Sequence, residues 1–139
     1  MRRAAALLLA AAATACVPDE GPMMEPGRDC LSCHDGSGEE RAWSFAGTVF
    51  ARGDAAEDEG IQGVTVIVED ARGKRVSVTS NDAGNFYSAE RLVPPFRAKV
   101  RRGATVVEME GTFEYGSCNA CHTWPARPAF PDLHRLVAP

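Results

Sequence analysis

Five residues, Cys30-Leu31-Ser32-Cys33-His34, constrain this chain more than any other stretch, because their spacing returns as Cys118-Asn119-Ala120-Cys121-His122. Thiols three positions apart lie about one turn from each other, and the next residue places an imidazole beside them. Two such pairs of thiols can serve a Cys₄ zinc site, two local disulfides or two covalently held haems. The histidines separate these readings. The chain has only three, and two of them directly follow a C-x-x-C, where neither a zinc ribbon nor a disulfide needs one. C-x-x-C-H is the attachment pattern of c-type haem, so covalent haem is the expectation at both places.

The two stretches resemble the haem-binding motifs of the c-type cytochromes. That resemblance implies thioethers from Cys30, Cys33, Cys118 and Cys121 to haem vinyl groups, with His34 and His122 as proximal iron ligands. The cofactor implied is haem c, two copies, both covalent.

The N-terminus reads as an export signal. Arg2 and Arg3 precede an Ala/Leu run from Ala4 to Ala13, and Ala13-Thr14-Ala15 offers a small-residue cleavage site. The apolar run is too short to cross a bilayer, which takes about 20 residues. Cys16 is the fifth cysteine and stands just after that site. Its setting resembles the lipobox of bacterial lipoproteins, with Ala13 where Leu is usual. The resemblance implies a lipidated Cys16 as mature N-terminus and a lipid-anchored protein in the periplasm or at the outer membrane or cell surface. The leader carries two of the 15 basic residues and none of the 19 acidic ones, so its loss takes the net charge from −4 to −6. An acidic chain is unsuited to nucleic acid, which is held through basic contacts to phosphate. It suits steering toward a basic redox partner, or simply solubility.

Five segments follow: a leader (1–15), a Pro/Gly-rich tether (16–29), a first haem-binding segment (30–42), a β-rich middle (43–115) and a second haem-binding segment (116–139). In the middle, short runs of β-branched and aromatic residues alternate with turn chemistry such as Asp70-Ala71-Arg72-Gly73 and Asn81-Asp82-Ala83-Gly84. Six strands are expected, at about 44–50, 62–69, 74–80, 85–88, 96–101 and 104–110, with room for a seventh. The fold class is mainly β, an antiparallel sandwich flanked by irregular or short-helical haem-binding segments. Asp82 and Gly84 read as turn formers, and Asp132–Leu136 allows one turn of helix. An even number of reversing strands returns the chain to the end where it began, which would bring the two motifs together.

Residues 43–111 resemble the transthyretin-like, or carboxypeptidase-regulatory-like, β-sandwich family. The likeness is carried by Gly47-Thr48-Val49, Gly63-Val64-Thr65-Val66, Thr79, Asp82-Ala83-Gly84-Asn85-Phe86, Leu92 and Pro95. It implies an Ig-like fold and no chemistry, because such sandwiches host many roles.

Each iron has a second axial position. His134, the one histidine outside the motifs, is the first distal candidate. Met23 and Met24 in the tether, and Met109 in the last strand, are the thioether candidates. The expected function is electron transfer between periplasmic or cell-surface redox proteins, without catalysis. An open axial position would instead permit a peroxidase or gas sensor. A sandwich stapled by zinc or disulfides would make a non-haem binding or adhesion lipoprotein.

Overall fold

The computed structural model describes residues 21–38 and 40–139. The leader, Cys16 and the tether up to residue 20 lie outside the described residues. No helix among the described residues is long and apolar enough to cross a membrane.

All six expected strands form, as β1 Phe45–Thr48, β2 Thr65–Glu69, β3 Arg75–Thr79, β4 Asn85–Ser88, β5 Arg97–Arg102 and β6 Thr105–Glu108. They make two antiparallel sheets, β1-β4 and β3-β2-β5-β6. Period-two alternation sets the register. Val66 and Val68 of β2 stand opposite Val78 and Val76 of β3, and opposite Val100 and Ala98 of β5. One face of these three strands is therefore apolar. It meets Phe45, Val49 and Phe86 of the small sheet in a single core that also takes in Val64 and Phe96.

The turn between β2 and β3 is built by one carboxylate. Asp70 Oδ1 accepts the amides of Arg72 (2.8 Å) and Lys74 (2.9 Å), while Oδ2 accepts that of Val93 (3.1 Å). Asn81 does the same between β3 and β4, accepting the amides of Ala83 and Asn85 at 3.0 Å. Gly84 follows with φ +80°, a conformation that L side chains resist. It is a turn former, as its sequence position suggests.

The strands are shorter than expected at most ends. Phe50 lies beyond β1 and makes isolated bridges to Gly60 and Val137. No helix forms at 132–136; there Leu136 O accepts Phe50 N–H (2.8 Å) and Ala138 N–H donates to Phe50 O (3.1 Å). Within β1 itself, Ala46 N–H donates to Gly116 O (2.9 Å). The C-terminal segment thus touches this edge twice, in parallel, at Ala46 of β1 and at Phe50 just beyond it, and loops out between the two contacts. That covers an edge otherwise open to foreign strands.

The outer face of the small sheet is also covered. Residues 22–28, expected as a plain tether, dock there: Gly27 N–H reaches Thr48 Oγ1 (2.9 Å), and Asn85 Nδ2 reaches Met24 O (2.7 Å). At the far side β6 stays bare. Val106 and Val107 point to opposite faces and are both about half exposed, because two strands cannot roof four.

Gly47 is required by packing. A Cβ there would come within 2.7 Å of the Phe86 ring and 2.9 Å of Cys118 Cβ. Gly47→Ala is expected to destabilise the protein by about 1–3 kcal/mol, the cost of overpacking a filled core; an unchanged urea midpoint would contradict this. Burial works to raise the Asp70 pKa, but the amides of Lys74, Val93 and Arg72 together hold it below its ordinary 3.8. A depressed carboxylate stabilises the fold above its unfolded pKa, and that contribution is lost as pH falls through the folded value. Asp70→Asn should therefore flatten the loss of stability below pH 3.8, read as urea midpoint against pH.

Candidate functional site

The two C-x-x-C-H motifs fold into the same local structure. Each opens with a three-residue 3₁₀ turn, Cys30–Ser32 and Cys118–Ala120. The residue before is extended in both, Asp29 at φ −70°, ψ 95° and Ser117 at φ −87°, ψ 107°. The second cysteine is helical in both, Cys33 at φ −113°, ψ −37° and Cys121 at φ −111°, ψ −42°. His34 N–H donates to Cys30 O (3.0 Å) and His122 N–H to Cys118 O (2.9 Å). The backbone of the two motifs therefore turns in the same way, from the first cysteine to the histidine.

The imidazoles are held alike too. His34 Nδ1 faces the carbonyl of Arg41 (3.1 Å), and His122 Nδ1 faces that of His134 (3.0 Å). A carbonyl only accepts, so each Nδ1 carries the proton. In the neutral ring this leaves the Nε2 lone pair for a metal. Burial lowers the His122 pKa, against the opposing pull of the His134 carbonyl, and favours that neutral form.

Their surroundings differ. His34 is 6% exposed and stacks on Trp43, with ring centroids 3.6 Å apart and planes 9° from parallel. Trp43 stacks in turn on Tyr87 of β4 (4.2 Å, 10°), so the first imidazole lies at the inner end of a three-ring pile that reaches the surface. His122 is half-buried. The neighbouring aromatic contact is between Trp124 and the His134 ring, edge-on at 5.5 Å.

The motifs are neighbours, as the strand count suggests. Both turns pack against β1. Between them lies Asn119, 1% exposed. Its Oδ1 accepts Thr48 N–H (3.1 Å), and its Nδ2 donates to Arg28 O (2.8 Å) and Thr48 Oγ1 (3.1 Å). The same Nδ2 lies 3.9 Å from Cys30 Sγ. A second tie joins Tyr115 Oη to the Asp29 carboxylate (3.1 Å). A third is Arg135, buried with its guanidinium 4.5 Å above the Phe50 ring and its N–H groups on the carbonyls of Ala55 and Gly27.

Burial, then the charge of Asp29, pushes the Cys30 thiol up to about 11. Burial and then Cys30 push Cys118 up to about 12. Such thiols stay protonated at neutral pH and resist oxidation. Cys30, Cys118 and Cys121 are free, whereas Cys33 is disulfide-bonded. A thioether forms from a thiol, so attachment at Cys33 requires that disulfide to be reduced first. With that reduction, each motif offers the two sulfurs and one nitrogen that a c-type haem takes. Among the described residues no group of three His, Cys, Asp or Glu side chains is gathered to hold a bare metal ion.

The distal candidates are scattered. Met24 is half-buried, and its carbonyl is held by Asn85. Met23 is exposed. Met109 lies just past β6, half-buried, with its N–H on Ala98 O (3.0 Å). His134 does reach the second motif, but with its backbone. Sequence reasoning missed Asn119, Thr48, Trp43 and Tyr115 as partners of the motifs. Only the position of Trp43, close behind the first motif, offered a signal.

Searches against protein-family models, curated proteins and solved structures match nothing to this chain.

Burial, then the charge of Asp29 and its hydrogen bond, raises the Tyr115 phenol to about 12 from its ordinary 10.0. Asp29→Asn removes the charge and leaves the burial. The phenol should then titrate lower but still above 10.0, read by NMR on ring-labelled tyrosine. An unshifted titration would break the Tyr115–Asp29 tie.

Proposed function

We propose that this chain is a dihaem c-type cytochrome that passes single electrons between redox proteins outside the cytoplasm, anchored by lipid at Cys16. One observation supports it above all: the C-x-x-C-H turn is built twice with the same backbone, and each imidazole is fixed through Nδ1 by a carbonyl. A disulfide has no use for an oriented Nε2 directly after each thiol pair, and a Cys₄ zinc site needs none.

In this reading Cys30, Cys33, Cys118 and Cys121 attach the two haems, and His34 and His122 ligate iron. The haem supplies the one-electron chemistry, while the protein sets position and environment. The carbonyls of Arg41 and His134 fix each ring's direction and raise its basicity as a ligand. Trp43 fixes the plane of the His34 ring by stacking. Arg135 holds the tail that carries the His134 carbonyl.

The His134 backbone stands on the Nδ1 side of His122, where its carbonyl would orient that imidazole, while its own ring lies edge-on to Trp124.

The test is a pyridine haemochrome assay with intact mass on the mature protein, made beside haem-attachment machinery. A gain of two haem masses is expected, with His34→Ala and His122→Ala each disturbing the spectrum of one haem. A colourless protein with no added mass would overturn the reading.

A further inference from the structure

The two motifs share one buried side chain. Asn119 belongs to the second motif, yet its amide donates to the carbonyl of Arg28, two residues ahead of Cys30, and lies 3.9 Å from the Cys30 sulfur. The other end of the amide grips β1 through Thr48, whose hydroxyl also takes Gly27 N–H and donates to Asn85 Oδ1 (2.7 Å). Cys118, the residue before Asn119, packs on Gly47, the residue before Thr48. The first cysteine of each motif therefore borders the same amide. A fully bonded buried network of this kind resists displacement. Asn119 itself is 1% exposed, so its hydrogen bonds to both motifs are shielded from water.

We propose that Asn119 is a positioning residue that fixes the two motifs against each other, so that the two redox sites titrate as one coupled pair. This rests on the cytochrome reading and adds to it how the sites communicate. Oxidation of one bound iron would add a unit of positive charge, and fixing the two motifs against each other would fix how strongly that charge acts on the second site. The electron leaving one site is accepted by the other or by an external redox protein, with no bond made or broken.

The experiment compares the midpoint potential of the second site in the fully loaded protein with that in Cys30→Ala/Cys33→Ala, where only the second site is loaded. The difference measures the coupling, in the manner of a double-mutant cycle. In Asn119→Ala, with both haems bound, most of that difference should be lost. Thr48→Val keeps a β-branched strand residue while removing the hydroxyl, and it should lose part of the difference. An equal difference in parent, Asn119→Ala and Thr48→Val would overturn the proposal. A second arm needs no haem. In the apo-protein, amide hydrogen exchange should be slow at Thr48 N–H, held by Asn119 Oδ1, and at Gly27 N–H, held by Thr48 Oγ1. Asn119→Ala should speed exchange at both, and equal rates in parent and variant would overturn the clamp. A haem-free parent would instead overturn the cytochrome reading and leave this arm to decide on the clamp.

Discussion

Strand β1 is buried on both faces and along one edge, and the rest of the molecule is arranged to satisfy it. Phe45 and Val49 enter the core, while Ala46 and Thr48 face the other way and are just as buried. A strand of a small antiparallel sheet commonly shows one face to water. Here that face carries a hydroxyl that must be fully paired. Thr48 Oγ1 donates once, to Asn85, and accepts twice, from Gly27 and Asn119, which uses its whole capacity. Leaving such a buried group unpaired costs about 1–3 kcal/mol. The three partners come from β4, from the segment before the first motif and from within the second. One hydroxyl thereby recruits both motifs to the same strand.

The sandwich was legible because its signals are local. Alternating Val66, Val68, Val76 and Val78 announce strands, and Asp70-Ala71-Arg72-Gly73 announces a turn. The motif turns were legible for the same reason, since their spacing sets their geometry. The flanking segments were not. Gly116–Ser117 and Leu136–Ala138 lie along β1 without any strand pattern, because their order comes from an edge that β1 offers across some 70 to 90 residues of chain. Asn119 stands between two cysteines as a short polar residue, and nothing local says that its amide is spent on Arg28 and Thr48. His134 shows a different limit. It was singled out for its ring, yet the atom that meets His122 is its carbonyl oxygen, and any residue type could have supplied that.

The same turn sits in two unlike environments. The first lies on a sheet face, its imidazole buried against an indole; the second hangs from a sheet edge between two single bridges, its imidazole half-buried. Identical donors in different surroundings do not give identical sites, because burial and nearby charge set the cost of each charge state. Neither segment has a core of its own, so each depends on the sandwich to hold its donors still. The sandwich serves as a mount for the loops it positions.

Net charge alone misdescribes how such a molecule meets a partner. Arg97, Lys99 and Arg101 share the outer face of β5, opposite in parity to the buried Ala98 and Val100. Of the three, Lys99 is paired, with Glu108 (3.0 Å), and the nearby Glu69 is taken by Arg75. That face lies on the far side of the core from the first motif, whose segment carries Glu25, paired with Arg28 (4.0 Å), and Asp29, Asp35 and Glu40 against Arg41. The charge is thus divided, acidic at the first motif and basic on the back of the large sheet. Steering follows the field at the approach face and not the sum over the chain. A positively charged surface is therefore favoured on the motif side and disfavoured on the sheet side.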